Sequence, residues 1–115
     1  FIKGDITNFE FLDKLFKEKH FNAIFNLAAR AGVRGSVNDP WIYIETNIKG
    51  TLNLLECCKK YKVKKFIMSS TSSIYGINDI PFKETFKTAT PISPYGATKK
   101  SAEVLCYCYH YLYGI

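Results

Sequence analysis

Residues 21–29 read FNAIFNLAA, from Phe21 to Ala29. The run is almost continuously apolar, as expected of a strand covered on both faces. On its N-terminal side, Phe9, Leu12, Leu15 and Phe16 recur at helical spacing and make one apolar stripe. Thr7-Asn8-Phe9-Glu10 in front of them reads as a capping box, with Thr7 capping the helix and Glu10 bonding back. Phe1 to Ile6 reads as the end of an earlier strand. On the C-terminal side, Asp39-Pro40 signals a helix start, Asp39 as cap and Pro40 at the first helical position. Trp41, Ile44, Ile48, Leu52 and Leu55 form the expected buried face of that helix. Val63 to Ser70 reads as another buried strand, and Ser73 to Ile92 as a loop rich in Gly, Pro, Asn and Asp. Ser93-Pro94 repeats the cap-then-proline signal, and its helix runs to about Tyr113 with Gly114 as the stop.

The order is therefore β-α-β-α-β-loop-α. Strands separated by helices imply a parallel sheet with right-handed crossovers. No internal repeat or interdomain linker is visible, so residues 1–115 read as one α/β unit. In such sheets ligands bind beyond the carboxyl ends of the strands. Those ends are Gly4-Asp5-Ile6, Leu27-Ala28-Ala29 and Ser69-Ser70-Thr71, which places three candidate sites on one edge by topology alone.

Composition agrees with one globular unit: 115 residues, 47% hydrophobic and 23% charged. No stretch approaches the roughly 18 unbroken apolar residues of a membrane span, and the N-terminus lacks the parts of a secretory signal. The first residue is Phe1 and the only methionine is Met68, so the chain is expected to be an internal piece of a longer protein. Net charge is +6, but the basic residues are dispersed. Lys17, Lys19, Lys59, Lys60, Lys62, Lys64 and Lys65 read as solvated helix ends and loops, without the aromatic–basic interleaving of nucleic-acid readers. Cys57-Cys58 are adjacent and Cys106 and Cys108 two apart. Neither spacing is C-x-x-C and no paired histidine completes a zinc set, so no metal site is expected. Buried thiols in a reducing compartment are the expectation, and with them a cytoplasmic location.

Chemistry concentrates in Tyr95-Gly-Ala-Thr-Lys99. Tyr and Lys at i and i+4 share one helix face, their Cβ atoms roughly 5–6 Å apart. A free phenol, of pKa about 10, is a poor base at neutral pH. A nearby ammonium favours the phenolate, which can then take a proton from a sugar hydroxyl. Tyr-x-x-x-Lys is common by itself, and a core tyrosine beside an exposed lysine reads the same way. Context adds weight, because Ser69-Ser70-Thr71-Ser72-Ser73 closes a buried strand upstream of Tyr95. Its hydroxyls could bond a substrate oxygen, or merely cap their own loop. Asp5 ends a strand where it could accept from an adenine amino group, or serve only as a turn residue. Gly50 lies inside a helix at a cost of about 1 kcal/mol against alanine, which close packing against a cofactor or sheet would explain.

Gly4-Asp5-Ile6, Asn26-Leu27-Ala28-Ala29, Asn47-Ile48-Lys49-Gly50-Thr51, Ser69-Ser70-Thr71 to Tyr75-Gly76, and Ser93-Pro94-Tyr95 to Lys99 together resemble the extended short-chain dehydrogenase/reductase family of nucleotide-sugar enzymes. The resemblance spans essentially the whole chain. Leu27-Ala-Ala-Arg-Ala-Gly-Val-Arg34 is similar, more narrowly, to the UDP-glucuronate 4-epimerases within it. The resemblance implies a partial NAD-binding Rossmann domain, a doubly wound parallel sheet without its N-terminal βαβ and C-terminal substrate domain. It implies an isomerase: Tyr95 as catalytic base, Lys99 on the nicotinamide ribose, and Thr71 as the third catalytic member, bonding the sugar O4. Asp5 would contact adenine. Ile6, Leu27, Ala28, Ala29 and Asn47 would line the NAD, with Ser69 supplying backbone near nicotinamide. Related 4,6-dehydratases carry Asp-Glu after the threonine and related decarboxylases a Glu in this stretch. Here Ser72 and Ser73 stand there, able to hydrogen-bond a substrate carboxylate with Arg34 adding charge.

The pattern also departs from the family. Glycines at 4, 32, 35, 50, 76, 96 and 114 make neither G-x-x-G-x-x-G nor G-x-G-x-x-G, and Gly32-x-x-Gly35 follows a different strand from the phosphate loop. By family topology the strand at Phe1–Ile6 lacks its sheet neighbours, so this chain alone is expected to bind NAD weakly and to be inactive. The alternatives are a decarboxylase or dehydratase of the same family, a nonenzymatic NAD-binding scaffold, or an interaction domain. Helices carrying Trp41 or Tyr107, Tyr109 and Tyr111 could form a dimer interface, and the whole protein is expected to be a homodimer.

Overall fold

Phe9–Glu18 forms helix α1 because Leu12 and Phe16, one turn apart, bury together while Lys14, Lys17 and Glu18 face water. The computed structural model describes all residues, Phe1–Ile115. The helix begins one residue later than expected. Asn8, not Thr7, is its cap, accepting from the Phe11 N–H at 3.0 Å. The Thr7 N–H donates instead to Asp5 Oδ1 at 2.8 Å, and this aspartate turn takes the place of the capping box.

Strands β1 (Ile24–Asn26) and β2 (Phe66–Met68) pair in parallel, Ile24 opposite Phe66 and Asn26 opposite Met68. Both fall inside the expected strands, each only three residues long. The expected first strand does not form: Phe1–Ile6 enters no ladder, and Phe1 and Ile2 are exposed. A strand needs a neighbour for its backbone groups, and this segment is held instead by packing of Ile6 on the core and by a side-chain amide. Asn53 Nδ2 donates to the Ile6 and Thr7 carbonyls at 3.0 and 3.2 Å. Coverage on both faces also fails, since Phe25 is 68% and Leu27 75% exposed. These side chains are suited to a covered sheet, and no layer within the 115 residues covers them.

After a short helix α2 (Val33–Asn38) that the periodicity does not announce, one continuous helical stretch follows. It comprises α3 (Pro40–Tyr43), a π-helical segment (Ile44–Lys49) and α4 (Gly50–Tyr61). Of the expected buried face only Leu55 is fully buried; Trp41 is 74% exposed, Ile44 is exposed, and Ile48 and Leu52 are half-buried. Tyr43, Asn47, Thr51 and Leu54 take the inner side. The wider π turn adds a residue, so a 3.6-residue repeat drawn from Trp41 loses phase across it. Gly50 is explained by packing: a Cβ there would lie 2.6 Å from the Ile6 side chain.

A single 3₁₀ turn, Ser72–Tyr75, follows β2, and residues 76–92 are irregular, as expected. Helix α5 (Pro94–Tyr113) matches its sequence signals. Ser93 Oγ accepts from the Gly96 N–H at 3.0 Å, and Gly114 ends the helix in the left-handed conformation. The core lies between α1, α4 and the approach to β2, and consists of Leu12, Phe16, Leu54, Cys57, Cys58 and Val63. Burial pushes the Cys57 thiol up to about 11 and the Cys58 thiol up to about 12. Cys108 departs from the buried-thiol expectation and is exposed; all four thiols are unbridged. The seven lysines assigned to solvent are exposed. No helix is long and apolar enough to cross a membrane.

Candidate active site

The parallel register brings two of the three expected strand ends to one edge. The Ser69 N–H donates to the Asn26 carbonyl at 3.1 Å, so Leu27-Ala28-Ala29 and Ser69-Ser70-Thr71 leave the sheet side by side. Asn26 is buried at this edge. Its Nδ2 donates to Thr51 Oγ1 at 3.2 Å, and its Oδ1 accepts from the Ala28 N–H at 3.2 Å. A buried amide thus sets the turn after β1 and leaves Leu27, Ala28 and Ala29 exposed, together with Ser69 and Ser70. Asp5 is exposed too, its carboxyl held below the usual carboxylate range by the Thr7 N–H and, more weakly, by the Arg30 guanidinium. Ile6 is turned away, against Gly50.

Asn47 does not line an open groove; it is 1% exposed. Its Oδ1 accepts from the Arg30 N–H at 2.8 Å, and its Nδ2 donates to the Arg30 carbonyl at 3.0 Å and to Thr98 Oγ1 at 3.0 Å. Thr98 in turn donates to the Tyr95 carbonyl at 2.9 Å. A satisfied buried network therefore runs from the loop after β1 to the first turn of α5, with Asn47 as its anchor.

Tyr95 and Lys99 are one turn apart at the start of α5. Tyr95 is half-buried, packs edge-to-face on Tyr43 with centroids 6.1 Å apart, and its hydroxyl has no partner in the chain. Lys99 is 4% exposed; its ammonium forms neither an ion pair nor a hydrogen bond within the chain and keeps a narrow contact with solvent. Burial holds it below the ordinary lysine range, partly offset by Cys106 and Glu103. Thr71 caps the 3₁₀ turn, its Oγ1 accepting from the Ser73 N–H at 3.2 Å, which leaves the hydroxyl proton free to donate. Gly96 joins the two halves: a Cβ there would lie 2.6 Å from the Ser73 carbonyl oxygen. Only glycine lets α5 rest directly on the turn that Thr71 caps.

Beside this junction opens a cleft of about 260 Å³, lined by Val33, Ser72, Ser73, Gly76, Phe82, Ile92 and Ser93. Ser72 and Ser73, expected to meet substrate, are on its wall. Arg34 is exposed and unpartnered in α2, next to Val33. Asn26, Tyr43, Gly96 and Thr98 were not assigned roles from sequence. A polar residue inside an apolar run, at Asn26, was the available signal.

Parallel strands joined through helices, with both strand ends at one edge, make this chain a segment of a Rossmann-like α/β fold. The profile of the family described as GDP-mannose 4,6 dehydratase matches residues 1–115, and the chain belongs to that family. Among curated relatives, the UDP-glucuronate 4-epimerase of Thermodesulfobacterium geofontis is 54% identical over 115 residues, covering 100% of this chain and 36% of the relative. UDP-glucuronate 4-epimerase 4 of Arabidopsis thaliana is 44% identical over 116 residues, covering 99% of this chain and 26% of the relative. The UDP-glucose 4-epimerase of Brucella ovis in complex with NAD superposes with a TM-score of 0.93 at 34% identity, over 100% of this chain and 35% of that one. That of Thermotoga maritima with UDP-glucose gives 0.91 at 38% identity, over 100% of this chain and 38% of that one. The chain thus spans roughly a third of the length of the proteins it matches.

Proposed function

We propose that the whole protein is an NAD-dependent nucleotide-sugar 4-epimerase acting on UDP-glucuronate or UDP-galacturonate. The observation that carries the reading is Lys99, a largely buried lysine whose ammonium has no protein partner, one turn from a half-buried Tyr95 whose hydroxyl is free. The ammonium keeps only a narrow contact with solvent, so acceptors such as ribose hydroxyls would be favourable partners for it. The exposed backbone of Leu27, Ala28, Ala29 and Ser69 and the carboxylate of Asp5 suit the rest of a dinucleotide, so the residues present fit NAD. When bound, NAD supplies the acceptor and donor of the hydride at the sugar C4.

The chain's own residues do the rest. Tyr95 takes the proton of the sugar O4, and Thr71 donates a hydrogen bond to that oxygen. Tyr95 would hold that proton and return it to O4 of the epimerised sugar, with Thr71 bonding the same oxygen. Neither Ser72 nor Ser73 can perform the acid–base work of an elimination. Both can hydrogen-bond the substrate carboxylate, with the Arg34 charge nearby. The names of the two curated relatives support the uronate over a neutral hexose. The whole protein would act as a homodimer through the faces carrying Trp41, Tyr107 and Tyr111, which stand 74%, 70% and 81% exposed; a monomeric mass by light scattering would remove that part. The test of the function is Tyr95→Phe in the whole protein. Epimerisation of UDP-glucuronate should be abolished while NAD remains bound; near-normal turnover would end the assignment.

A further inference from the structure

Gly32-x-x-Gly35, which cannot serve as a phosphate loop, has a different partner in the structure. Tyr43 is buried at the end of α3, and its hydroxyl donates to the Ala31 carbonyl at 3.1 Å. A Cβ at Gly35 would lie 2.6 Å from that phenol oxygen, whereas the next ring atom, Cζ, is 3.7 Å away. Gly32 beside it holds a φ of +108°, which side-chain-bearing residues rarely adopt. The two glycines thus leave a slot that the Tyr43 phenol fills. The same ring makes the edge-to-face contact with Tyr95, centroids 6.1 Å apart.

We propose that Tyr43 is a positioning residue whose ring, seated in the Gly32–Gly35 slot, fixes the orientation of the Tyr95 ring for proton transfer. The inference rests on Tyr95 being the catalytic base, as argued above. A half-buried tyrosine whose hydroxyl has no partner in the chain is not oriented by hydrogen bonding, so its ring is oriented by what it packs against, and Tyr43 is its aromatic neighbour. The hydroxyl on Ala31 fixes Tyr43 itself and ties the same loop to the site.

The test measures steady-state kinetics of the whole protein at saturating NAD. Tyr43→Leu removes the edge contact and should lower kcat about ten- to a hundredfold, the loss expected of a reacting group displaced by up to an ångström, with KM for the sugar nucleotide within about twofold. Tyr43→Phe keeps the ring and should retain kcat within about twofold. Gly35→Ala, which drives a methyl against the phenol oxygen, should reproduce the Tyr43→Leu loss. The double variant Gly35→Ala/Tyr43→Phe removes the atom in conflict and should recover most of that loss, a non-additivity that general destabilisation would not produce. Equal losses in Tyr43→Phe and Tyr43→Leu, or unchanged kcat in Tyr43→Leu, would overturn the proposal. If Tyr43→Leu does not fold, the Gly35→Ala pair decides, and failure of the double variant to recover overturns it. Tyr95→Phe assayed alongside separates the two levels. Its retention of turnover would refute the catalytic reading, whereas its inactivity with a normal Tyr43→Leu refutes only the positioning role.

Discussion

Substituting Gly96 by alanine should damage catalysis more than stability. The added Cβ would lie 2.6 Å from the Ser73 carbonyl oxygen and 3.0 Å from Pro91 Cβ. The first gap is roughly 0.8 Å short of the 3.4 Å at which ordinary contact begins. Its partner is backbone, in a turn pinned by Thr71 Oγ1 and by buried Ile74, so rotation of a flexible side chain cannot relieve the clash. Either α5 lifts by most of an ångström or the turn gives way. Overpacking of this kind costs about 1–3 kcal/mol, reduced by the better helix propensity of alanine, about 1 kcal/mol. The net loss of stability should therefore be at most about 2 kcal/mol. Tyr95 and Thr71 sit on opposite sides of this contact, so the same shift enters the reacting geometry in full. A displacement near 1 Å costs on the order of a hundredfold in rate. Thermal melts and kcat for UDP-glucuronate, measured on the same preparation of the whole protein, check the split. A Gly96→Ala protein with wild-type kcat would show that Tyr95 and Thr71 do not act across this junction.

Other outcomes are expected from single groups. Lys99→Met should leave the NAD-free protein as stable as the parent or slightly more stable at pH 7, because it removes a cation held largely out of water without a protein partner, while abolishing turnover. The Lys99 pKa is lowered by folding, so its penalty is complete while the residue is protonated in both states. The penalty fades as pH rises through the folded value towards the ordinary lysine range. Denaturation midpoints of the two proteins should accordingly converge at alkaline pH, and a constant gap would contradict the assignment. Cys57 and Cys58, with thiols pushed up to about 11 and about 12 by burial, should resist alkylation at pH 8 in the folded state, whereas exposed Cys108 labels first. Peptide mapping that finds Cys57 or Cys58 modified ahead of Cys108 would oppose this. The 115-residue chain alone should not turn over UDP-glucuronate and should bind NAD only weakly by calorimetry, since its Phe1–Ile6 segment pairs with no strand and Phe25 and Leu27 stand uncovered. Tight binding would show that the edge formed by β1 and β2 suffices.

The parts of the fold that were legible are those whose signals are local. Helix α5 followed from Ser93, Pro94 and Gly114, each of which acts within one turn of its own position. Parallel pairing of β1 and β2 followed from apolar runs separated by a helix-forming segment, and both runs contain their strands. Readings that depended on a remote partner failed in a consistent way. Phe1–Ile6 has strand-like composition but no neighbour to pair with. Trp41 and Ile44 are apolar at helical spacing but lie outward, because the π segment around Asn47 shifts the phase. That segment is itself a long-range effect: Asn47 reaches the Arg30 backbone, 17 residues away, and Thr98, 51 away.

The same distinction separates the two layers of the site. Tyr95 and Lys99 stand out in the sequence by residue type and by spacing along one helix, and Thr71 and Asn47 by the family resemblance. The roles of Asn26, Tyr43, Gly96 and Thr98, and the anchoring role of Asn47, do not, because each is tied to a partner that only folding brings near: Asn26 to Thr51, Tyr43 to Ala31, Gly96 to Ser73, and Asn47 to Thr98. Asn26 sets the Ala28 N–H, Asn47 holds Arg30, Thr98 binds the Tyr95 carbonyl, and Gly96 admits the Ser73 carbonyl. This second layer uses buried amides and close approaches, which tolerate little displacement. Lys99 is the opposite case, a lysine folded almost entirely out of water with no partner for its ammonium in the chain. The positioning layer thus holds the loop after β1 and the start of α5 by satisfied bonds and close packing, while the two side chains of the first turns of α5 that carry the proposed chemistry, Tyr95 and Lys99, keep their polar ends free of protein partners.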